Sequence, residues 1–189
     1  KDFIVSRVRV KLLTIFLFSP AEMFYVRQLT REIGEEINAV RRELTHMVDA
    51  GMVKTENRGN RVYFWFNKQY QFYPELLSMI VKTTGLGAAI IKDQQKLGKV
   101  KFALVSGRFA RVMLRKEGLV DLLVVGEIVL PQLSAIVKAH EDKSRGEINY
   151  SVMTGEEFIF RKNRRDPFIM ELMMRSRIML IGDEEEFAG

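Results

Sequence analysis

Cysteine is absent from all 189 residues, which excludes disulfides, thiolate metal sites and cysteine nucleophiles. Histidine occurs only as His46 and His140, so no metal site built on imidazoles is expected, and no cofactor. No apolar run reaches about 18 residues, the length a membrane-crossing helix needs, so no membrane partner is expected. The opening Lys1-Asp2-Phe3 lacks the pattern of a secretory signal, which makes the cytoplasm the expected location. Internal repeats and low-complexity stretches are missing too, apart from a short acidic tail at Asp183 to Glu186. What is there suffices for real cores: 47% of residues are hydrophobic, enough for one domain or two small ones. The net charge of +6, from 30 Lys+Arg against 24 Asp+Glu, permits a polyanionic partner without proving one.

From Phe3 to Phe18 the apolar residues Val8, Leu12, Ile15 and Phe16 recur at helical spacing, and Ser19-Pro20 stops the run. A second helix is expected from Tyr25 to Ile33, where Val26, Leu29 and Ile33 share a face and Gly34 supplies the stop. A third, Glu36 to Ala50, has the inner stripe Ile37, Val40, Leu44, Met47 and Val48. Its far side carries Asn38, Arg42, Thr45, His46 and Asp49, with Arg41 on the flank. Asn and Arg are the side chains that make bidentate contacts to adenine and guanine edges in a major groove. Beyond Gly51, Met52 to Thr55 is expected to pair with Val62 to Phe66 across a turn built on Asn57, Arg58, Gly59 and Asn60. Arg58 and Arg61, with Asn60 between them, can reach a phosphate or the minor groove from that tip.

Helix, turn, Arg-bearing helix and basic hairpin, in that order, are the plan of a winged helix-turn-helix, and the partner it implies is double-stranded DNA. Taken singly, each residue has a plainer reading: Arg41 and Arg42 beside Glu43 also suit a solvated helix face, and His46 a surface position. Residues 1 to 68 hold 12 Lys+Arg and 8 Asp+Glu, a net of +4, but Glu35, Glu36 and Glu43 lie close to the proposed reading surface and would repel phosphates. Modest affinity per domain is therefore expected, with two copies on one duplex needed for tight binding.

Residues 69 to 98 contain Leu76, Leu77, Ile80, Val81, Leu86, Ile90 and Ile91, broken at Gly85 and Gly87, which predicts a connector of two helices. An apolar connector is a natural place for homodimer contacts, although packing on the chain's own wing competes equally. From residue 99 the pattern changes to alternating strands and helices. Strands are expected at Lys101 to Ser106, Val120 to Val125, Ile148 to Met153 and Ile178 to Ile181. Helices are expected near Arg108 to Lys116, at Pro131 to Glu141 and over residues 155 to 174.

Here Gly107-Arg108-Phe109-Ala110-Arg111 and Leu119-Val120-Asp121-Leu122-Leu123-Val124-Val125-Gly126 resemble the minimal nucleotidyltransferase family. That family ends one strand in Gly-Ser and carries Asp-x-Asp on the next, where the carboxylates bind Mg²⁺ and a nucleoside triphosphate. Arg108 stands at the family's Ser and Leu119 at its first Asp, which leaves Asp121 alone as a vestige of the nucleotide site. A third acid would be sought at Glu147 or Asn149. One Asp beside a Leu is a poor metal site, so no transfer activity and no catalytic residue are expected.

The whole chain is similar to prokaryotic, often archaeal, regulators in which an ArsR-like winged helix is fused to a nucleotidyltransferase-like domain. Arg41-Arg42-Glu43-Leu44, Glu147-Ile148-Asn149-Tyr150, Glu156-Glu157-Phe158 and Leu180-Ile181-Gly182-Asp183 carry that likeness. The expected fold class is thus a two-domain α+β and α/β chain. It comprises a winged helix-turn-helix over 1–68, a helical connector over 69–98 and a mixed sheet with flanking helices over 99–189. The expected function is a dimeric, sequence-specific transcriptional regulator, with a small molecule or nucleotide as effector class. The competing expectation is an active or nucleotide-sensing nucleotidyltransferase, antitoxin-like, whose winged helix recruits a partner.

Overall fold

The computed structural model describes residues 6–111, 120–144 and 146–189 of the chain. The fold is mixed α and β, with two separate sheets. It divides into two compact units, Lys1–Ile80 and Val81–Gly189.

In the first unit, α1 (Arg7–Phe18) starts at Ser6, whose hydroxyl accepts from the Arg9 amide, and buries Leu12, Leu13, Phe16 and Leu17. The short β1 (Phe24–Tyr25) leads directly into α2 (Val26–Ile33). Gly34 ends α2 with φ +62°, a left-handed conformation that a side chain would oppose. Next, α3 (Ile37–Asp49) buries Val40, Leu44 and Met47 of the expected inner stripe, while Ile37 and Val48 at its margins are only partly buried. The hairpin of β2 (Val53–Arg58) and β3 (Arg61–Phe66) follows, and β1 joins the far side of β3 to give the strand order β1-β3-β2.

Two features differ from expectation. β1 pairs Phe24 with Phe64 and Tyr25 with Tyr63, a bridge too short to leave a periodic signal. The hairpin also runs further than Thr55, because Arg58 pairs with Arg61 and only Gly59 and Asn60 form the turn. Gly59 has φ +60° and Asn60 does not have positive φ, which is the demand of a II′ turn and matches the twist of the strands.

Over the residues expected to form a connector, the chain makes two helices, α4 (Tyr73–Thr83) and α5 (Gly85–Lys92). The boundary between the units falls inside α4. No single described helix is long and apolar enough to cross a membrane.

In the second unit a short 3₁₀ turn (Gln94–Leu97) precedes β4 (Gly98–Ser106) and the one-turn α6 (Gly107–Ala110). Then come β5 (Leu122–Ile128), α7 (Leu130–Ser144) and β6 (Tyr150–Met153). The chain closes with α8 (Gly155–Asn163), α9 (Pro167–Met174), β7 (Arg177–Ile181) and α10 (Glu184–Ala188). The sheet order is β6-β5-β4-β7, with β5 and β6 parallel and the other pairs antiparallel. Phe102, Leu104, Leu123 and Val125 point to one face and pack with Phe158, Ile169, Leu172 and Phe187. Alternate residues Ala103, Val105, Leu122 and Val124 are buried on the other face.

The acidic tail is a helix instead. Asp183 caps α10 by accepting from the Glu185 and Glu186 amides, its acids occupy the first turn, and Phe187 is fully buried. The expected helix beyond Arg111, together with Leu119, lies outside the described residues.

Candidate nucleic-acid interface

The surface of α3 follows from its own periodicity. With Val40, Leu44 and Met47 turned inward, Asn38, Arg41, Arg42, Thr45 and His46 are all exposed, and Asp49 with them. The Thr45 hydroxyl donates to the Arg41 carbonyl one turn back, at 3.1 Å. Two asparagine and arginine forks and a hydroxyl thus sit on a single helical face, the geometry that base-edge contact requires.

The acids near this face are held by partners of their own. Glu36 is the N-cap of α3, its carboxylate accepting from the Asn38 amide at 2.8 Å and the Ala39 amide at 2.9 Å. Those two amides, Asn38 first, pull its carboxyl below the ordinary range. Glu35 pairs with Lys11 at 2.5 Å and with Arg7 at 3.3 Å, and the Lys11 hydrogen bond lowers it likewise. Burial pushes the Glu43 carboxyl up, but hydrogen bonds from Ser6 and Arg9, the latter at 2.8 Å, outweigh it and leave it lowered. The repulsion expected from these three carboxylates is therefore largely offset within the unit.

At the wing, Arg58, Asn60 and Arg61 are exposed and adjacent, as the hairpin tip requires. The guanidinium of Arg61 lies 4.6 Å from the centre of the Tyr25 ring, and that of Arg58 lies 5.9 Å from Tyr63. Glu56 accepts two hydrogen bonds from Arg58, at 2.9 and 3.0 Å. Tyr25, Tyr63 and Glu56 escaped the sequence-based reading. The period-two run Lys54-x-Glu56-x-Arg58 was the available sign that Glu56 and Arg58 share a face.

In the second unit, Gly107 and Arg108 begin α6 directly after Ser106, the residue of β4 whose backbone pairs with Asp121. The Ser106 amide donates to the Asp121 carbonyl at 2.9 Å, and the Asp121 carboxylate accepts from the Asn149 amide at 3.0 Å. Asp121 sits one residue ahead of β5 and not on it, a paired strand-end carboxylate. Gly107 presses on its surroundings: a Cβ there would stand 2.2 Å from the Ser176 hydroxyl. Its amide donates to the Ser176 carbonyl at 2.7 Å, so packing alone demands a glycine. Among the described residues no group of three or more His, Cys, Asp or Glu is placed to hold a metal ion. An open cavity of about 440 Å³ lies elsewhere in this unit, among Ala89, Asp93, Lys96, Ile136, His140 and Lys143. Burial, aided by Lys143, holds the His140 imidazole below its ordinary value.

No family model matches the chain, and no curated protein does. Among solved structures, reduced HlyU from Vibrio cholerae N16961 is similar over 42% of this chain and 76% of that one, at 18% identity and a TM-score of 0.34.

Proposed function

We propose that the chain is a cytoplasmic, sequence-specific regulator that binds double-stranded DNA as a homodimer through a winged helix-turn-helix. The observation that carries this is the outward face of α3, where Asn38, Arg41, Arg42, Thr45 and His46 are exposed beside acids already engaged by internal partners. Helix α3 enters the major groove, and Arg58, Asn60 and Arg61 fix register on the backbone. Twofold-related copies would meet half-sites roughly 34 to 36 Å apart, one turn of the duplex.

Selecting bound duplexes from a random pool, at a stated salt concentration, tests both the binding and the half-site spacing. In the selected duplex, Arg42→Ala is expected to cost about 1–3 kcal/mol and to relax preference at one base position. Arg61→Ala is expected to weaken all duplexes alike and to flatten the salt slope by about one unit. Undiminished binding by the double variant would overturn the proposal.

The second unit is, on this proposal, a nucleotidyltransferase-like scaffold without transfer chemistry, and the open cavity near His140 is a candidate seat for a small effector. Support comes from Asp121, whose carboxylate is engaged by the Asn149 amide. Incubation with labelled nucleotides and Mg²⁺ is expected to transfer no label; transfer abolished by Asp121→Ala would reverse the assignment.

A further inference from the structure

On one face of the three-stranded sheet, Glu56 engages an arginine that the proposed DNA contact needs. Register places Arg58 opposite Arg61, Glu56 opposite Tyr63, and Lys54 opposite Trp65. Directly opposed residues share a face, so these six stand on the same side, away from the core side marked by Phe24, Phe66 and Val53. Two guanidinium groups face to face repel each other. Arg61 is steadied on the Tyr25 ring, whereas Arg58 is gripped by Glu56 through its Nε and Nη2 atoms, at 2.9 and 3.0 Å. Two parallel bonds from one guanidinium are also the way arginine holds a phosphate. Glu56 therefore stands where a phosphodiester would.

The Arg58 hydrogen bond draws the Glu56 carboxyl below the ordinary range, so it stays charged and keeps its hold at neutral pH. Both side chains are nonetheless half exposed, at 55% for Arg58 and 47% for Glu56, and a pair so open to water exchanges partners at little cost.

We propose that Glu56 is a built-in competitor for phosphate: its carboxylate occupies the Arg58 fork in the free protein and yields it to the DNA backbone when the wing docks. This rests on the DNA-binding reading above and deepens it. In the free chain the tip presents one unpaired guanidinium and not two, which damps attraction to any polyanion. Arg58 contributes only where a phosphate arrives in bidentate geometry, so the wing favours duplexes on which α3 has already found its register.

The test is a double-mutant cycle on the full chain, read by fluorescence anisotropy of a selected duplex and an unrelated one across several salt concentrations. Glu56→Gln keeps the side chain's shape, and unchanged emission from Trp65, on the same face, verifies the hairpin. Glu56→Gln is expected to tighten binding about threefold, the scale of an exposed ion pair. It should also steepen the dependence of log K on log salt by about 0.9. In an Arg58→Ala background, the same substitution should do no more than Glu22→Gln, which removes an exposed acid elsewhere in the unit. Equal effects with and without Arg58, or no tightening at all, overturn the competitor and leave DNA binding standing. A wild-type chain that selects no duplex removes both.

Discussion

At the level of single residues, Gly107 is fixed by packing: an added Cβ would stand 2.2 Å from the Ser176 hydroxyl, so the position needs a glycine with no ligand present. Gly107→Ala is expected to destabilise the second unit by about 1–3 kcal/mol, the cost of forcing an added methyl into a closed site. Denaturant unfolding followed by far-ultraviolet circular dichroism measures this; an unchanged midpoint would show that the neighbouring strand end gives way. Asn38, Arg41, Arg42, Thr45 and His46 were legible in the sequence because helical spacing fixes which side chains face out. The partners of Glu35 and Glu43 were not, since Lys11 lies 24 positions from Glu35 and Arg9 lies 34 from Glu43. No local pattern reports contacts of that span.

Among the elements, α3 depends on its carboxylates. Glu35, Glu36 and Glu43 all sit below their ordinary value of 4.5, so each stabilises the folded unit fully above that value. That stabilisation is lost as pH falls through the lowered values. Acid titration should therefore loosen the first unit below about pH 4.5, with the emission of Trp65 as the gauge. The Glu35→Gln, Glu43→Gln double variant should show a flatter acid profile; a profile identical to wild type would mean that these pairs are not what acid breaks. The longer helices were readable because a period near 3.6 shows clearly over about ten residues, and the hairpin because a run of β-branched and aromatic residues, Val62 to Phe66, follows a turn with Gly59 at the tip. Elements lacking that length escaped. The two residues of β1 are strand only because β3 lies beside them, and β2 exposes five of its six residues, so no apolar alternation marks its extent. α10 had a legible start, Asp183 followed by Glu186, but its acids resemble a solvated tail until Phe187 is seen to be buried.

For the whole molecule, the chain divides into two compact units and carries a single tryptophan, Trp65, in the first of them. Fluorescence therefore watches one unit while circular dichroism watches both. The two probes are expected to give non-coincident unfolding curves in guanidinium chloride, with Trp65 reporting only the first unit's transition. Superimposable curves would show that the units melt together. The change from helical runs to alternating strands and helices comes at residue 99, whereas the two units divide between Ile80 and Val81. That division was not legible, because the shared helix α4 runs through it without a break in hydrophobic pattern.

The strand order β1-β3-β2 leaves β2 at the margin of its sheet, with a row of backbone amides and carbonyls that no strand among the described residues pairs with. Such a margin is a template on which an unfolded or partly folded chain could lengthen the sheet indefinitely. Lys54, Glu56 and Arg58 stand along it with alternating sign, so a like strand arriving in most registers meets a mismatched charge or must strip water from one. The charges that alternate along this strand thus also discourage aggregation, and removing Glu56 from the hairpin would trade away part of that protection.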